Sequence, residues 1–212
     1  MYDINKKFIF THPPKCGGTS IEELVGFLVL RDRFPSAAPF KHASLETHIQ
    51  KLKEKKVPIE DIFKVSIIRN PWDRVVSFYN HNKHKAYDFY TNEQPNKSLP
   101  QEVVDARELT FNQFVYKHCK HNFNSNTVTT PYMFADNKFF MDYVIRLEHI
   151  EEDLSKIKDV IQIDLSGGVP HRNDTDQFTA RKPYSEYFDQ KTKNYITQLF
   201  EWDIKTFNYK FA

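Results

Sequence analysis

The sequence has few cysteines, few glycines, no dominant charge and no long apolar run. Two cysteines, Cys16 and Cys119, stand far apart among 212 residues, which is too few for a disulfide framework. No stretch approaches the ~20 consecutive apolar residues of a membrane span. The segment from Met1 to Lys7 lacks the apolar core of a signal peptide, so a soluble, cytoplasmic protein with no membrane span is expected. The 30 Lys and Arg residues are nearly matched by 28 Asp and Glu, for a formal net charge of +2. Such a balance provides no bulk field for a nucleic acid. No nucleic-acid partner is expected, and any anion must be met by local basic residues. Internal repeats and low-complexity segments are absent.

Glycine is scarce, at 5 residues, whereas phenylalanine is abundant, at 19. Adjacent glycines inside a loop therefore stand out. The chain is long enough for one domain over residues 1–212 with a sizeable core. Apolar β-branched runs alternate with stretches of helical spacing, which predicts an α/β fold with a central parallel sheet flanked by helices. Phe8 to Phe10 and Ile62 to Ile68 read as buried strands. Tyr143 to Arg146 and Val160 to Leu165 read as further strands. Helices are expected from Ile21 to about Leu30, then over Leu45 to Lys56, Val75 to Lys85 and Leu109 to His121. Two more are expected over Leu147 to Ile157 and Tyr184 to Phe200. The stretch 86–108, polar and carrying Pro95 and Pro100, reads as a flexible substrate loop.

The first chemically informative segment follows the Phe8–Phe10 strand. Pro13 and Pro14 turn the chain, and Lys15, Cys16, Gly17, Gly18, Thr19 and Ser20 lead into the Ile21 helix. Strand, glycine turn and helix form an architecture that collects backbone N–H groups around a phosphate or sulfate. The glycines allow the backbone to approach the anion, the hydroxyls add donors and Lys15 adds charge. In the nucleotide-hydrolase P-loop the lysine follows the last glycine. Here it precedes them, so that motif is absent. An ordinary strand–turn–helix corner would have the same outline. Cys16 sits where a thiol pKa tends to fall, and it reads as a spacer in the loop ahead of a nucleophile.

The second segment follows the Ile62–Ile68 strand. Arg69 arrives at the strand's C-terminal end, where open α/β sheets bind ligands, and its planar fork suits phosphate. Pro71 opens a helix that places Ser77 in its second turn. The alternative is that Arg69 and Arg74 pair with Asp73 or other acids, as surface ions commonly do.

Together the two segments resemble sulfotransferases that use 3′-phosphoadenosine-5′-phosphosulfate, and within them the carbohydrate-directed branch that includes heparan-type 2-O-sulfotransferases. The segment Val144 to Leu154, with Arg146, Glu148 and Asp153, resembles that branch's later motif. Tyr184 to Asp189 and Trp202 to Tyr209 resemble its closing helix and tail. The resemblance covers nearly the whole chain. It implies the P-loop-containing nucleotide hydrolase-like fold and a sulfuryl transfer from this donor to a hydroxyl acceptor, most naturally a carbohydrate. The product would be 3′,5′-adenosine bisphosphate, and no metal is required. It also implies that Lys15 contacts the transferring group and its bridging oxygen. The amides of Gly17, Gly18, Thr19 and Ser20 would cradle the 5′-phosphate. Arg69 and Ser77 would bind the 3′-phosphate, joined by Arg172 or Arg181 from a closing loop. A base is expected between the two motifs, where His42 fits best and His48 is the reserve. His12 would orient Lys15 or cap its strand.

Other clusters carry less. His81, His84, His118, Cys119 and His121 have helical spacing without a convincing zinc ligand set. The basic run from Lys51 to Lys56 reads as a solvated helix face. Two other functions fit the same segments. One is a nucleotide kinase or hydrolase, disfavoured by the lysine order and by the lack of a magnesium-binding acid near the loop. The other is a non-catalytic nucleotide-binding protein.

Overall fold

The structure is a computed structural model that describes residues 2–3, 5, 7–26, 42–122, 129–170 and 182–212, with the side chains of 120–122 left out. The chain forms two compact units, Met1–Arg69 with Thr129–Asn173, and Asn70–Val128 with Asp174–Ala212.

The first unit carries a four-stranded sheet, β1 (Tyr2–Asp3), β2 (Phe8–Thr11), β3 (Phe63–Ile68) and β6 (Tyr143–Arg146), in the order β1-β2-β3-β6. β1 runs antiparallel to β2, and β2, β3 and β6 are parallel. Alternation along β2 divides its side chains between two faces. Phe8 and Phe10 join Val65, Ile67 and Ile145 in a core closed by Ile21 and Val25, and by Leu154, Ile157 and Ile161. Ile9 points the other way, toward Leu45 and Leu52. Both faces are thus covered, as a parallel sheet requires.

The covering helices are α1 (Gly18–Leu24), α2 (Leu45–Glu54) and α7 (Ile150–Ile161). The Ser44 side chain caps α2, accepting from the Thr47 amide at 3.2 Å. α1 starts three residues earlier than its periodicity suggests and ends at Leu24, and residues 27–41 lie outside the described part. The strand expected over Val160 to Leu165 is not formed. α7 runs on to Ile161 and closes on Gln162 at φ 53°, and Ile157, Ile161 and Ile163 bury their side chains in one cluster. The apolar run was the end of an amphipathic helix plus its trailing contact. A short α6 (Thr130–Met133) leads into the β4–β5 hairpin, Phe134–Ala135 with Lys138–Phe139.

The second unit is helical. α3 (Pro71–Asn80) begins at Asn70, whose side chain accepts from the amides of Trp72 and Asp73 at 3.1 and 3.3 Å, with Pro71 in the first turn as helices favour. Its core joins Trp72, Val75, Val76 and Tyr79 of α3 with Phe111, Phe114 and Val115 of α5 (Phe111–Asn122), and with Ile196 and Phe200. The phenylalanine surplus finds its use here, in edge-to-face pairs such as Tyr79–Phe111 and Phe111–Phe188. The helix expected over Tyr184 to Phe200 is broken. A 3₁₀ turn, Tyr184–Tyr187, precedes α8 (Gln190–Leu199), because Asp189 caps α8 by accepting from the Thr192 amide at 2.6 Å. The tail then turns into α9 (Glu201–Thr206).

Most of the stretch 86–108 is also helical, where an irregular loop was expected. α3 continues as two π-helical segments, His81–Ala86 and Phe89–Glu93, and α4 spans Gln101–Glu108. Side chains account for the widened turns. Asn82 Nδ2 donates to the Phe78 carbonyl and Thr91 Oγ1 to that of Tyr87, each at 2.9 Å, and such bonds compete with the backbone ladder. Pro100 is the N-cap of α4 and breaks nothing.

Candidate functional site

The site is built at the C-terminal ends of β2 and β3, neighbouring parallel strands paired as far as Thr11 with Ser66. Both strand exits lie on one edge of the sheet, so the segments that follow them are brought side by side. Ser66 Oγ reinforces the pair, donating to the Thr11 carbonyl at 3.0 Å.

After β2 the chain takes an unusual path. Lys15 has φ 68° and Gly17 φ 76°, both left-handed, while Cys16 between them is not. Alternating handedness of this kind turns successive amides toward one side and forms a concave anion nest. For lysine the conformation is costly, about 1–2 kcal/mol. Gly17 is also needed sterically, since a Cβ there would press on Leu147, and one at Gly18 would overlap the His12 ring. The Ser20 amide donates to the Gly17 carbonyl at 3.1 Å. It is therefore engaged in the first turn of α1. Cys16 is fully buried in the sheet core, which fits a spacer.

After β3, Arg69 donates from Nη1 to the Lys15 carbonyl at 3.2 Å. The segments that follow β2 and β3 are thus physically joined, and the arginine closes the Lys15 turn. Arg74 is almost completely buried. In the second unit Ser77 sits in the second turn of α3, 6% exposed. Arg172 and Arg181 lie outside the described residues.

The two histidine candidates separate clearly. His48 is buried on α2, edge-on to Tyr2. Burial, helped by the nearby charge of His12, lowers its pKa to about 3. A base that weak is mismatched to neutral-pH proton abstraction. His42 is exposed, and its Nδ1 lies 3.2 Å from the carbonyl oxygen of His12. A carbonyl can only accept, so Nδ1 carries a proton, and in the neutral ring the lone pair is at Nε2.

His12 was expected to orient Lys15 or cap a strand. Its ring is 2% exposed, stacks on Phe10 at 5.4 Å, and binds Glu22 Oε1 from Nε2 at 2.8 Å. Glu22, on α1 and equally buried, was missed. In the sequence its only signal is position, one turn after the glycines on the face that also buries Ile21.

Other clusters serve the scaffold. Arg146 forks onto Asp153 through Nε and Nη2 at 3.0 and 2.9 Å, and burial of that carboxylate is outweighed by these bonds, which hold its pKa well below the usual range. His118 and Lys117 both bind Asp105 Oδ2 at 2.6 Å. Among the described residues no three His, Cys, Asp or Glu side chains gather as metal ligands, and no helix is long and apolar enough to cross a membrane. A cleft of about 530 Å³ opens beside the π segments, lined in part by His81, Lys85, Phe89, Tyr90 and Asn92.

A parallel sheet with a left-handed glycine turn at one strand end and an arginine at the next has the outline of a P-loop-like α/β protein. The chain belongs to the sulfotransferase family, whose model matches residues 1–210. Among solved structures it is similar to mouse sulfotransferase SULT7A1 complexed with PAP, at 15% identity and a TM-score of 0.44, over 94% of this chain and 84% of that one. No curated protein gives a significant match.

Proposed function

We propose that this sulfotransferase takes its sulfuryl group from 3′-phosphoadenosine-5′-phosphosulfate and passes it to a hydroxyl on a carbohydrate. The observation that carries the reading is the bond from Arg69 to the Lys15 carbonyl. It unites two anion-binding elements, and a nucleotide with phosphates at both its 5′ and 3′ ends needs two. The residues fit such a donor. Lys15 and Gly17 are left-handed, a side chain at Gly17 or Gly18 would meet Leu147 or His12, and the Arg69 guanidinium bonds to the turn.

The donor supplies the sulfuryl group and leaves as 3′,5′-adenosine bisphosphate. The Lys15 ammonium stabilises the negative charge that grows on the departing 5′-phosphate, aided by the Gly18 and Thr19 amides. Arg69 and Ser77 hold the 3′-phosphate, with Arg172 or Arg181 as a further contact. His42 accepts the acceptor's hydroxyl proton at Nε2. A carbohydrate acceptor is supported by the cleft beside the π segments, where aromatic faces stand among amide and charged groups. Such surroundings suit sugar rings and their hydroxyls.

Labelled donor offered to a panel of glycans, lipids and small alcohols tests the reading, with Lys15→Ala as control. Transfer to a glycan that is lost in the folded variant is the expected result. Magnesium-dependent ATP turnover, or bisphosphate binding with no transfer to any acceptor, would overturn it.

A further inference from the structure

A buried acid–imidazole pair packs against the glycine turn that follows Lys15. Glu22 and His12 are each 2% exposed and joined at 2.8 Å. Burying a carboxylate is expensive unless it is paired, and a solvated surface residue would serve a plain helix equally well. The position of the pair explains its presence. The His12 ring is in contact with three things at once. It stacks on Phe10, it occupies the space that a side chain at Gly18 would fill, and it meets the His42 ring edge-on, with centroids 4.6 Å apart at 74°. The same residue's carbonyl takes the His42 Nδ1 proton.

We propose that Glu22 and His12 form a positioning pair for the transfer step: Glu22 clamps the His12 ring, and His12 fixes the orientation and tautomer of His42. The inference rests on reading His42 as the base. Glu22 accepts at His12 Nε2 and leaves the ring one orientation about its side-chain torsions. With the ring fixed, His42 has a wall on one side and a carbonyl acceptor at Nδ1, which makes Nε2 the basic nitrogen of the neutral ring. Hydrogen-bonded partners that orient a functional imidazole are the general means of selecting its reactive nitrogen. A misplacement of a reacting group by about 1 Å can cost on the order of 100-fold in rate.

The tautomer can be read without any acceptor. In protein carrying ¹⁵N-labelled histidine, long-range ¹H–¹⁵N spectra should show His42 protonated at Nδ1. Glu22→Ala should shift His42 toward a mixture of tautomers, and Glu22→Gln, which keeps a hydrogen-bonding group opposite His12 Nε2, should restore the Nδ1–H form. With the glycan acceptor found by the panel, Glu22→Ala should lower kcat by about 10- to 100-fold with the donor KM within about threefold, and Glu22→Gln should recover most of that loss. The calorimetric affinity for 3′,5′-adenosine bisphosphate should stay unchanged in both. An unaltered His42 spectrum in folded Glu22→Ala overturns the pair. Equal losses of kcat and Tm in the Gln and Ala variants also overturn it, since they mark a purely structural role. The base assignment is tested separately, by turnover of His42→Ala. A wild-type rate there removes His42 as the base, whatever the spectra show.

Discussion

Arg69 reaches across from the end of β3 and donates to the carbonyl of Lys15, 3.2 Å away. That bond gives the arginine two duties. As a permanently charged fork it suits the 3′-phosphate, and as a donor to the turn it holds Lys15 in the left-handed region. The two duties separate when the donor is varied. With adenosine 5′-phosphosulfate, which has no 3′-phosphate, a residue that only bound that phosphate would be neutral on substitution. Arg69→Ala should slow transfer from both donors, by about 10-fold or more from the shorter one. Unchanged turnover of the shorter donor would confine Arg69 to phosphate binding. Initial rates with the two labelled donors decide it.

The charge and the backbone strain of Lys15 can also be separated. Lys15→Ala keeps a Cβ at φ 68° and loses the ammonium. Lys15→Gly loses both the ammonium and the strain, and left-handed backbone favours glycine by about 1 kcal/mol. Thermal melts should place the glycine variant above the alanine variant. Transfer should fall by at least about 100-fold in each, the scale of losing one transition-state donor. Strong activity in Lys15→Gly would show that the turn matters and the charge does not.

Gly18 makes the loop's demand on sequence sharper. A Cβ there would overlap the His12 ring, and the ring is held by Phe10 and Glu22, so it has no easy retreat. Gly18→Ala should destabilise the protein by about 1–3 kcal/mol through overpacking, read as a drop in the urea midpoint. The double variant Gly18→Ala/His12→Ala should recover part of that loss, because the obstacle is gone.

Much of this site was legible because its residue types are local and ordered. Strand, Lys15, paired glycines and hydroxyls lie within a dozen positions, and Arg69 ends a β-branched run. What was not legible depended on long-range packing. The link from Arg69 to Lys15 spans 54 positions. Glu22 looked like any helix acid until His12 was folded onto it. His42 fitted the place between the motifs best with His48 in reserve, and burial, which lowers the His48 pKa to about 3, separates them physically. The second π segment, Phe89–Glu93, fell in a stretch read as loop because polar residues with nearby prolines suggest irregular chain, and the first, His81–Ala86, lay mostly in a stretch read as an ordinary helix. Their turns widen because Asn82 and Thr91 bond back to carbonyls four residues earlier, a competition that periodicity does not register.

Those widened turns bear on the acceptor. Phe89 and Tyr90 stand edge to face at 5.4 Å beside the cleft that Asn92 also lines. If sugar rings rest there, Tyr90→Ala and Asn92→Ala should raise the acceptor KM by about 5- to 20-fold, the loss of a contact worth about 1–2 kcal/mol. The donor KM and the Tm should hold. A lowered kcat with unchanged acceptor KM would place the acceptor elsewhere.

The last prediction concerns acid stability in the second unit. Asp105 on α4 is 3% exposed and takes bonds from Gln101 at Oδ1, and from Lys117 and His118 at Oδ2. Burial alone would raise its pKa, but the bonds from Lys117, Gln101 and His118 outweigh that and hold it at about 2. Because the folded value lies below the unfolded one, the carboxylate's contribution is present in full above the ordinary carboxylate range. It is lost as pH falls through about 2. The contribution at neutral pH is about 2 kcal/mol. Urea midpoints taken from pH 6 down to pH 2 should fall most steeply between about pH 4 and 2. Asp105→Asn should be less stable at neutral pH and show a flatter profile over that window. A slope as steep in Asp105→Asn as in the parent protein would mean that other carboxylates, Asp153 foremost, carry the acid sensitivity.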